Sequence, residues 1–269
     1  MKEISLQGMS AAEQKASHAE ASILKQLAAH PNVVGYVDSF LEPRSNKLYI
    51  VMEWARAGDL DAVVKAARKA RRPLPEARVM SIFVQCVAAL DFMHRHRVLH
   101  RDIKPANIFM HRQGAEVDIV KLGDFGIAKV LAHTMAKART VAGTPYYMAP
   151  ELCKERPYTA TADVWSLGVV LHELCALEVP FTATSLAGLI RKITSSKPRR
   201  NPHERQYSRE MPALITSMLN KTPHLRASSK AILKMPYVQR HCKDFAQSLV
   251  KEATSRVQST ALPKVAAAA

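Results

Sequence analysis

Cysteine is scarce in this chain and never closely paired. The four, Cys86, Cys153, Cys175 and Cys242, are far apart with no CxxC. That spacing argues against a disulfide framework and fits reduced cytosolic thiols. Long hydrophobic runs are missing too. Hydrophobic residues make up 48% of the chain, yet no uninterrupted apolar stretch approaches the roughly 18 residues of a membrane span. The first residues carry Glu3 and no apolar core, so no secretory signal is expected. There are no internal repeats, and low complexity is confined to the terminal PKVAAAA. Acidic residues are the most telling deficit, 23 against 39 Lys and Arg, for a formal charge of +16 and a pI near 9.9. Such a balance attracts polyanions, whether nucleic acid, acidic protein tails or phosphorylated partners, without choosing among them. Aromatics are only 6%, and the densest basic run, KAARKARRP at 65–73, has none interleaved. It belongs to no zinc-finger or RNA-binding motif and reads as a solvated helix end and loop, with docking or localisation the alternative.

What is present has a clear order. A chain of 269 residues suits one large domain or two lobes with ample core. In MKEISLQ, Lys2, Ile4 and Leu6 share one face of a strand, with Glu3 and Ser5 on the other. Ser10 and Glu13 form a capping box, so a helix should start near Ala11 and end before Pro31. Ile23, Leu24 and Leu27 make its apolar stripe, and Glu20 falls on that same stripe. VVGYVDSF and LYIVMEW read as strands joined by EPRSNK. From residue 74 the apolar period is helical, through Val79, Ile82, Phe83, Cys86, Val87, Leu90 and Met93. A strand-poor, loop-rich stretch follows at 98–151, and helices dominate from about 161 to 250. A small β-rich part before a large α-rich part implies an α+β fold of two lobes with a cleft between them.

Within that loop-rich stretch, HRDIKPAN sets His100, Arg101, Asp102, Lys104 and Asn107 within eight positions. DFG follows at Asp124, Phe125 and Gly126, and APE at Ala149, Pro150 and Glu151. In this order the motifs resemble those of a eukaryotic protein kinase. Finer features, DFGIAKVL, GTPYYMAPEL and YTATADVWSLGVVLHELCALEVPF, are most similar to the NIMA-related (Nek) serine/threonine kinases. Lys104 together with Gly143, Thr144 and Pro145 follows the serine/threonine pattern rather than the tyrosine one.

The resemblance, over roughly residues 1–243, implies a bilobal kinase-like fold and a set of roles. Residues 1–52 would be a partial N-lobe, 53–57 the hinge, 58–242 a complete helical C-lobe and 243–269 an extension without readable function. Asp102 would accept the proton of the substrate hydroxyl, and Lys104 would offset charge on the transferring phosphoryl group. Asn107 and Asp124 would hold magnesium through hard oxygens. Met52 would be the gatekeeper, the backbone of Glu53 and Ala55 would read the adenine edge, and Phe109 would line the ATP site. Lys2 would hold the α- and β-phosphates and pair with Glu20. Glu151 and Arg226 would form a structural ion pair, although Ala227 stands where a proline is usual. DVWSLG at 163–168 would anchor the catalytic loop, and Tyr36, Leu24, Phe125 and His100 would form the regulatory spine. A phosphate on Thr140 would bind Arg101 and order the loop. Ile127, β-branched after DFG, implies threonine over serine as acceptor. The trio His94, His96 and His100 could bind zinc, but His100 is the motif histidine, and Arg95, Arg97 and Arg101 would oppose a dication.

One element of the pattern is absent. Only Met1 precedes Lys2, and none of the nine glycines forms GxGxxG, so the likeness is to an N-terminally truncated kinase without its glycine-rich loop. Two function classes follow: an ATP- and Mg²⁺-dependent serine/threonine protein kinase, or a catalytically impaired domain acting as a protein-binding module. Charge alone would allow a nucleic-acid binder, with no motif behind it. The expected partners are protein substrates and acidic or phosphorylated proteins, with no membrane. The family suggests a cytoplasmic location at the cytoskeleton, centrosomes or basal bodies.

Overall fold

The opening strand forms because Ile4 and Leu6 bury while Glu3 and Ser5 face water. The structure, a computed structural model, describes residues 1–27, 29–113, 117–124 and 145–260; some side chains within helices and strands, that of Glu20 among them, lie outside the description. Strands β1 (Lys2–Ser5), β2 (Tyr36–Glu42) and β3 (Lys47–Met52) make an antiparallel sheet in the order β1-β3-β2. Lys2 on one side and Ser39 on the other stand opposite Ile50. Helix α1 (Ala11–Leu27) starts where the capping signal placed it, and buries Ala21, Leu24 and Leu27 against β2 and β3.

The strand expected at 33–40 begins only at Tyr36. Val33 and Val34 leave the sheet because β5 (Val117–Leu122) claims their backbone: the Val34 N–H donates to the Leu122 carbonyl at 2.9 Å. Asn32 secures the junction. Its side-chain amide donates to Gln85 Oε1 (2.9 Å) and to the Val120 carbonyl (2.8 Å), all within the buried interior. These bonds satisfy polar groups that would be costly to leave unpaired, and they tie the β-rich part to the helical part.

The stretch expected to be strand-poor also holds a two-stranded ladder, β4 (Ile108–Gln113) against β5. Ile108, Met110, Val120 and Leu122 are buried, and Phe109, His111, Ile119 and Lys121 between them are less so. A period of two was therefore in the sequence, but spread over two short segments. The helical part begins at α2 (Leu60–Lys69), earlier than expected, where the Asp59 carboxylate accepts the Ala62 N–H at 2.9 Å as an N-cap. The basic run is the exposed end of α2 and the loop after it.

Helix α3 (Glu76–Arg95) has no long uninterrupted apolar run, yet at 20 residues it is by length and composition long and apolar enough to cross a membrane. Most of it is buried in the protein, with Val79, Phe83, Val87, Leu90 and Met93 all in the core. Then follow α4 (Pro150–Cys153), α5 (Ala160–Ala176), α6 (Leu186–Ser195), α7 (Glu210–Met218), α8 (Ser229–Leu233) and α9 (Pro236–Thr260). From Ala162 to Ala176 every residue of α5 is buried, so this helix is the axis around which the others pack. Its Trp165 stacks on Phe181 at 5.8 Å. Each such side chain contributes roughly 1.5–3 kcal/mol by leaving water. The segment after 243 continues α9, and Phe245 packs on the core.

Candidate active site

The loop before β4 is held in a conformation its own residues resist. Arg101 has φ +67°, a left-handed value that costs a non-glycine residue free energy, as does Asp124 just after β5 with φ +57°. The first turn of α5 supplies the restraint. The Asp163 carboxylate accepts the backbone N–H of His100 at 3.0 Å and of Arg101 at 2.9 Å. His94 Nε2 lies 3.0 Å from the same carboxylate, and the Tyr158 hydroxyl donates to it. Burial alone would raise the Asp163 pKa, but the His94 hydrogen bond, the nearby His100 and the Tyr158 hydroxyl outweigh it and hold the carboxyl below its ordinary value. His94 continues the chain through Nδ1 to Ser229 Oγ at 3.2 Å, while His96 Nδ1 meets the Phe92 carbonyl at 2.8 Å. The rings of His94 and His96 thus turn to different partners, Asp163 and Ser229 for one and Phe92 for the other.

On this base stands Asp102. Its Oδ2 accepts from Lys104 Nζ at 2.9 Å and from Asn107 Nδ2 at 2.9 Å. Asn107 Nδ2 also donates to the Asp102 carbonyl at 2.8 Å. The amide nitrogen of Asn107 is thereby spent, and its Oδ1 is left as the acceptor. The Asp102 N–H points to His100 Nδ1 at 3.4 Å, and burial lowers the His100 pKa, which keeps that nitrogen an acceptor.

Asp124 joins this group through the backbone. The Gly123 N–H donates to the Asn107 carbonyl at 3.1 Å. No side chain fits at Gly123, since a Cβ there would lie 2.6 Å from Val34 Cγ2 and 2.9 Å from Phe109 Cε2. From the sheet, Lys2 Nζ reaches Asp124 Oδ1 at 2.7 Å, across 122 positions of chain. The site therefore collects Lys2, Asp102, Lys104, Asn107 and Asp124, two carboxylates beside two ammonium groups. Glu20 lies on α1, but its side chain, and so the expected pair with Lys2, is outside the described residues.

Met52 ends β3 opposite Tyr36. The Glu53 N–H donates to the Gly35 carbonyl at 2.8 Å, so within this backbone the Glu53 carbonyl rather than its N–H is left to bind a ligand. Sequence reasoning missed the Glu53 side chain, whose carboxylate accepts from Lys121 Nζ at 2.8 Å and from the Gly35 N–H at 3.2 Å. Phe109, partly buried, and Val34 both border Gly123, and the Ala57 N–H donates to the Met110 carbonyl at 3.0 Å. Ala55 follows the exposed Trp54 on the connecting segment.

Behind the site, Arg226 grips Glu151 with both amino groups, at 2.7 and 2.9 Å, and both side chains are buried. Of the expected spine, Leu24 and His100 are buried and Tyr36 is partly so. Phe125, Ile127, Thr140, Gly143 and Thr144 lie outside the described residues. Arg101 itself sits with its guanidinium 5.8 Å from the centre of the Tyr158 ring. His94 and Tyr158 were also missed as partners of Asp163. The available signal was Asp163 itself, a carboxylate in the first turn of a mostly apolar helix, which needed donors once buried.

The sequence matches the family profile described as protein kinase domain over residues 1–238. It is 42% identical over 242 residues to serine/threonine-protein kinase Nek2 of Homo sapiens, which covers 88% of this chain and 53% of that protein. It is 40% identical over 240 residues to Nek5 of Homo sapiens, covering 89% and 32%. To serine/threonine-protein kinase nekl-2 of Caenorhabditis elegans it is 38% identical over 252 residues, covering 90% and 68%. The chain spans about half the length of the human Nek2 it matches, and less of Nek5.

Proposed function

The chain belongs to the protein kinase family, in its NIMA-related serine/threonine branch, and on that premise we propose that it transfers the γ-phosphoryl group of ATP to serine or threonine hydroxyls of proteins. The observation that carries the proposal is Asp102. Its carboxylate stands between Lys104 and Asn107 at 2.9 Å from each, on a loop pinned by the buried Asp163. Phosphoryl transfer needs little covalent help, so positioning and charge neutralisation are what a site must supply.

Asp102 accepts a hydrogen bond from the acceptor hydroxyl and takes its proton as the new O–P bond forms. The bond from the γ-phosphorus to the bridging oxygen breaks, and its electrons leave with ADP. Lys104, 2.9 Å from that carboxylate, offsets charge on the group in transit. Lys2 holds the α- and β-phosphates with Glu20 as partner, and Asp124, which meets Lys2 at 2.7 Å, would hold the metal. Protein kinases use ATP with a divalent metal, and the donor set here fits Mg²⁺: the Asp124 carboxylate and the Asn107 Oδ1 are both hard oxygens. When bound, the ion neutralises phosphate charge. Met52, the Glu53 carbonyl, the Ala55 backbone and Phe109 take the adenine. Glu151 and Arg226 hold the segment that ends the loop carrying Thr140 and Thr144, and Arg101 receives the phosphate of a modified Thr140.

Transfer of labelled γ-phosphate to a serine/threonine peptide tests the assignment. Asp102→Asn should lower the rate by about 10²–10⁴-fold, the usual worth of a general base, while leaving ATP affinity nearly unchanged. Full activity in that variant would remove Asp102 from the role.

A further inference from the structure

The excess positive charge is not spread evenly over the folded chain. Two basic segments far apart in sequence, 65–73 and 197–209, meet on one face. The Tyr207 hydroxyl donates to the Leu74 carbonyl at 2.9 Å, and the Ser208 N–H donates to Glu76 Oε2 at 2.6 Å. Arg72 is two residues from Leu74, and Arg205 and Arg209 are two residues from Tyr207. Two residues of chain span at most about 7 Å, so the backbone of all three arginines lies close to this one hydrogen bond. A second stitch lies alongside. Arg68 Nε donates to the Leu177 carbonyl at 2.7 Å, and the Arg199 N–H donates to the Pro180 carbonyl at 3.0 Å.

The acids of this face are already engaged. Asp61 pairs with Lys65, Glu173 with Arg68, Glu178 with Arg199 and Glu204 with Arg200. Glu76 takes the Ser208 N–H and the Tyr237 hydroxyl. Among the described residues no carboxylate pairs with Lys69, Arg71, Arg72, Lys197, Arg205 or Arg209, and all six are exposed. Charges within a Debye length, about 8 Å at physiological salt, add their potentials.

We propose that this face is a docking surface for an acidic segment, rich in Asp and Glu, of another protein. Nothing in catalysis requires it, since its residues take no part in the Asp102 group. Its form selects among polyanions. The cations are distributed along two segments rather than gathered around one point, which suits an extended acidic peptide rather than a single phosphate group. The one Phe, Tyr or Trp in either segment, Tyr207, is buried with its hydroxyl spent on Leu74, so the face offers no exposed ring of that kind on which nucleic-acid bases could stack.

Fluorescence anisotropy of a labelled oligoglutamate peptide with the full chain tests the proposal. Binding should weaken as salt rises. Combining Arg71→Glu, Arg72→Glu, Arg205→Glu and Arg209→Glu should weaken it about tenfold or more. A control carrying Lys15→Glu, Lys25→Glu, Arg44→Glu and Lys251→Glu, which are exposed positions elsewhere, changes net charge equally and should bind nearly as the parent does. The milder pair Arg72→Gln and Arg205→Gln, which adds no acid, should show a smaller loss in the same direction if the reversal variant melts early. Equal losses in the two reversal variants would mean that net charge, not this face, binds the peptide. Tighter binding of an oligothymidylate of equal charge, lost in the same variant, would assign the face to nucleic acid and overturn the proposal.

Discussion

Asp163 shows how far a single residue can reach. Wholly buried, it fixes two backbone N–H groups of the loop that carries Asp102, and so holds Arg101 in a left-handed conformation that the loop would not keep alone. His100 beside it must stay neutral, because burial opposes a charged ring and Asp163 and Asp102 offset that only in part. The sign of the pH effect follows. With the folded pKa below the ordinary value of 6.5, the unfolded chain binds the proton more readily. Stability is therefore full above about pH 6.5 and is lost as pH falls through the lowered folded value. His172, also lowered by burial, works in the same direction. The melting temperature should fall when pH drops from about 7 to about 5. His100→Phe should make that fall shallower, and an unchanged slope would count against the assignment. The residue types of this site were legible in HRDIKPAN and DFG because chemistry demands them in that order. Their hydrogen-bond partners were not, since His94 and Tyr158 reach Asp163 only after α3 and α5 have packed.

At the scale of elements, the central helix depends on one missing side chain. Gly168 lies on α5 where a Cβ would come 2.8 Å from Met218 Cβ at the end of α7 and 3.1 Å from Leu219 Cδ2. The Leu219 methyl can turn aside, but Met218 Cβ is fixed to its backbone, so the helices must part to admit a methyl group. Gly168→Ala should destabilise by about 1–3 kcal/mol through overpacking, offset by up to about 1 kcal/mol of helix propensity. A raised melting temperature would refute the close approach. Helices were the elements most readable from sequence. The 3.6-residue period marked α3, and Ser10 marked the start of α1. The pairing of β4 with β5 and the true start of β2 were not readable, because partners elsewhere in the chain decide them. Val33 has good strand character but spends its backbone near Leu122 instead of in the sheet.

For the molecule as a whole, the Glu151–Arg226 pair binds parts of the chain 75 residues apart, and it is almost fully shielded from water. Arg226→Ala would strand a buried carboxylate, a change that costs about 3–5 kcal/mol, whereas Glu151→Leu with Arg226→Met removes both charges and should be far milder. Denaturant titration of the two variants distinguishes them, and equal losses would contradict the argument. The sequence by itself determined the family and the order of a β-rich part before a helical one, and it named Asp102, Lys104, Asn107, Asp124, Glu151 and Arg226 as candidates, since these depend on residue types at fixed spacing along the chain. Only the tertiary structure decided that Lys2 meets Asp124, that Glu53 holds Lys121, and that two basic segments share one face. Those facts depend on distances between residues remote in sequence, and packing sets such distances where local preference cannot.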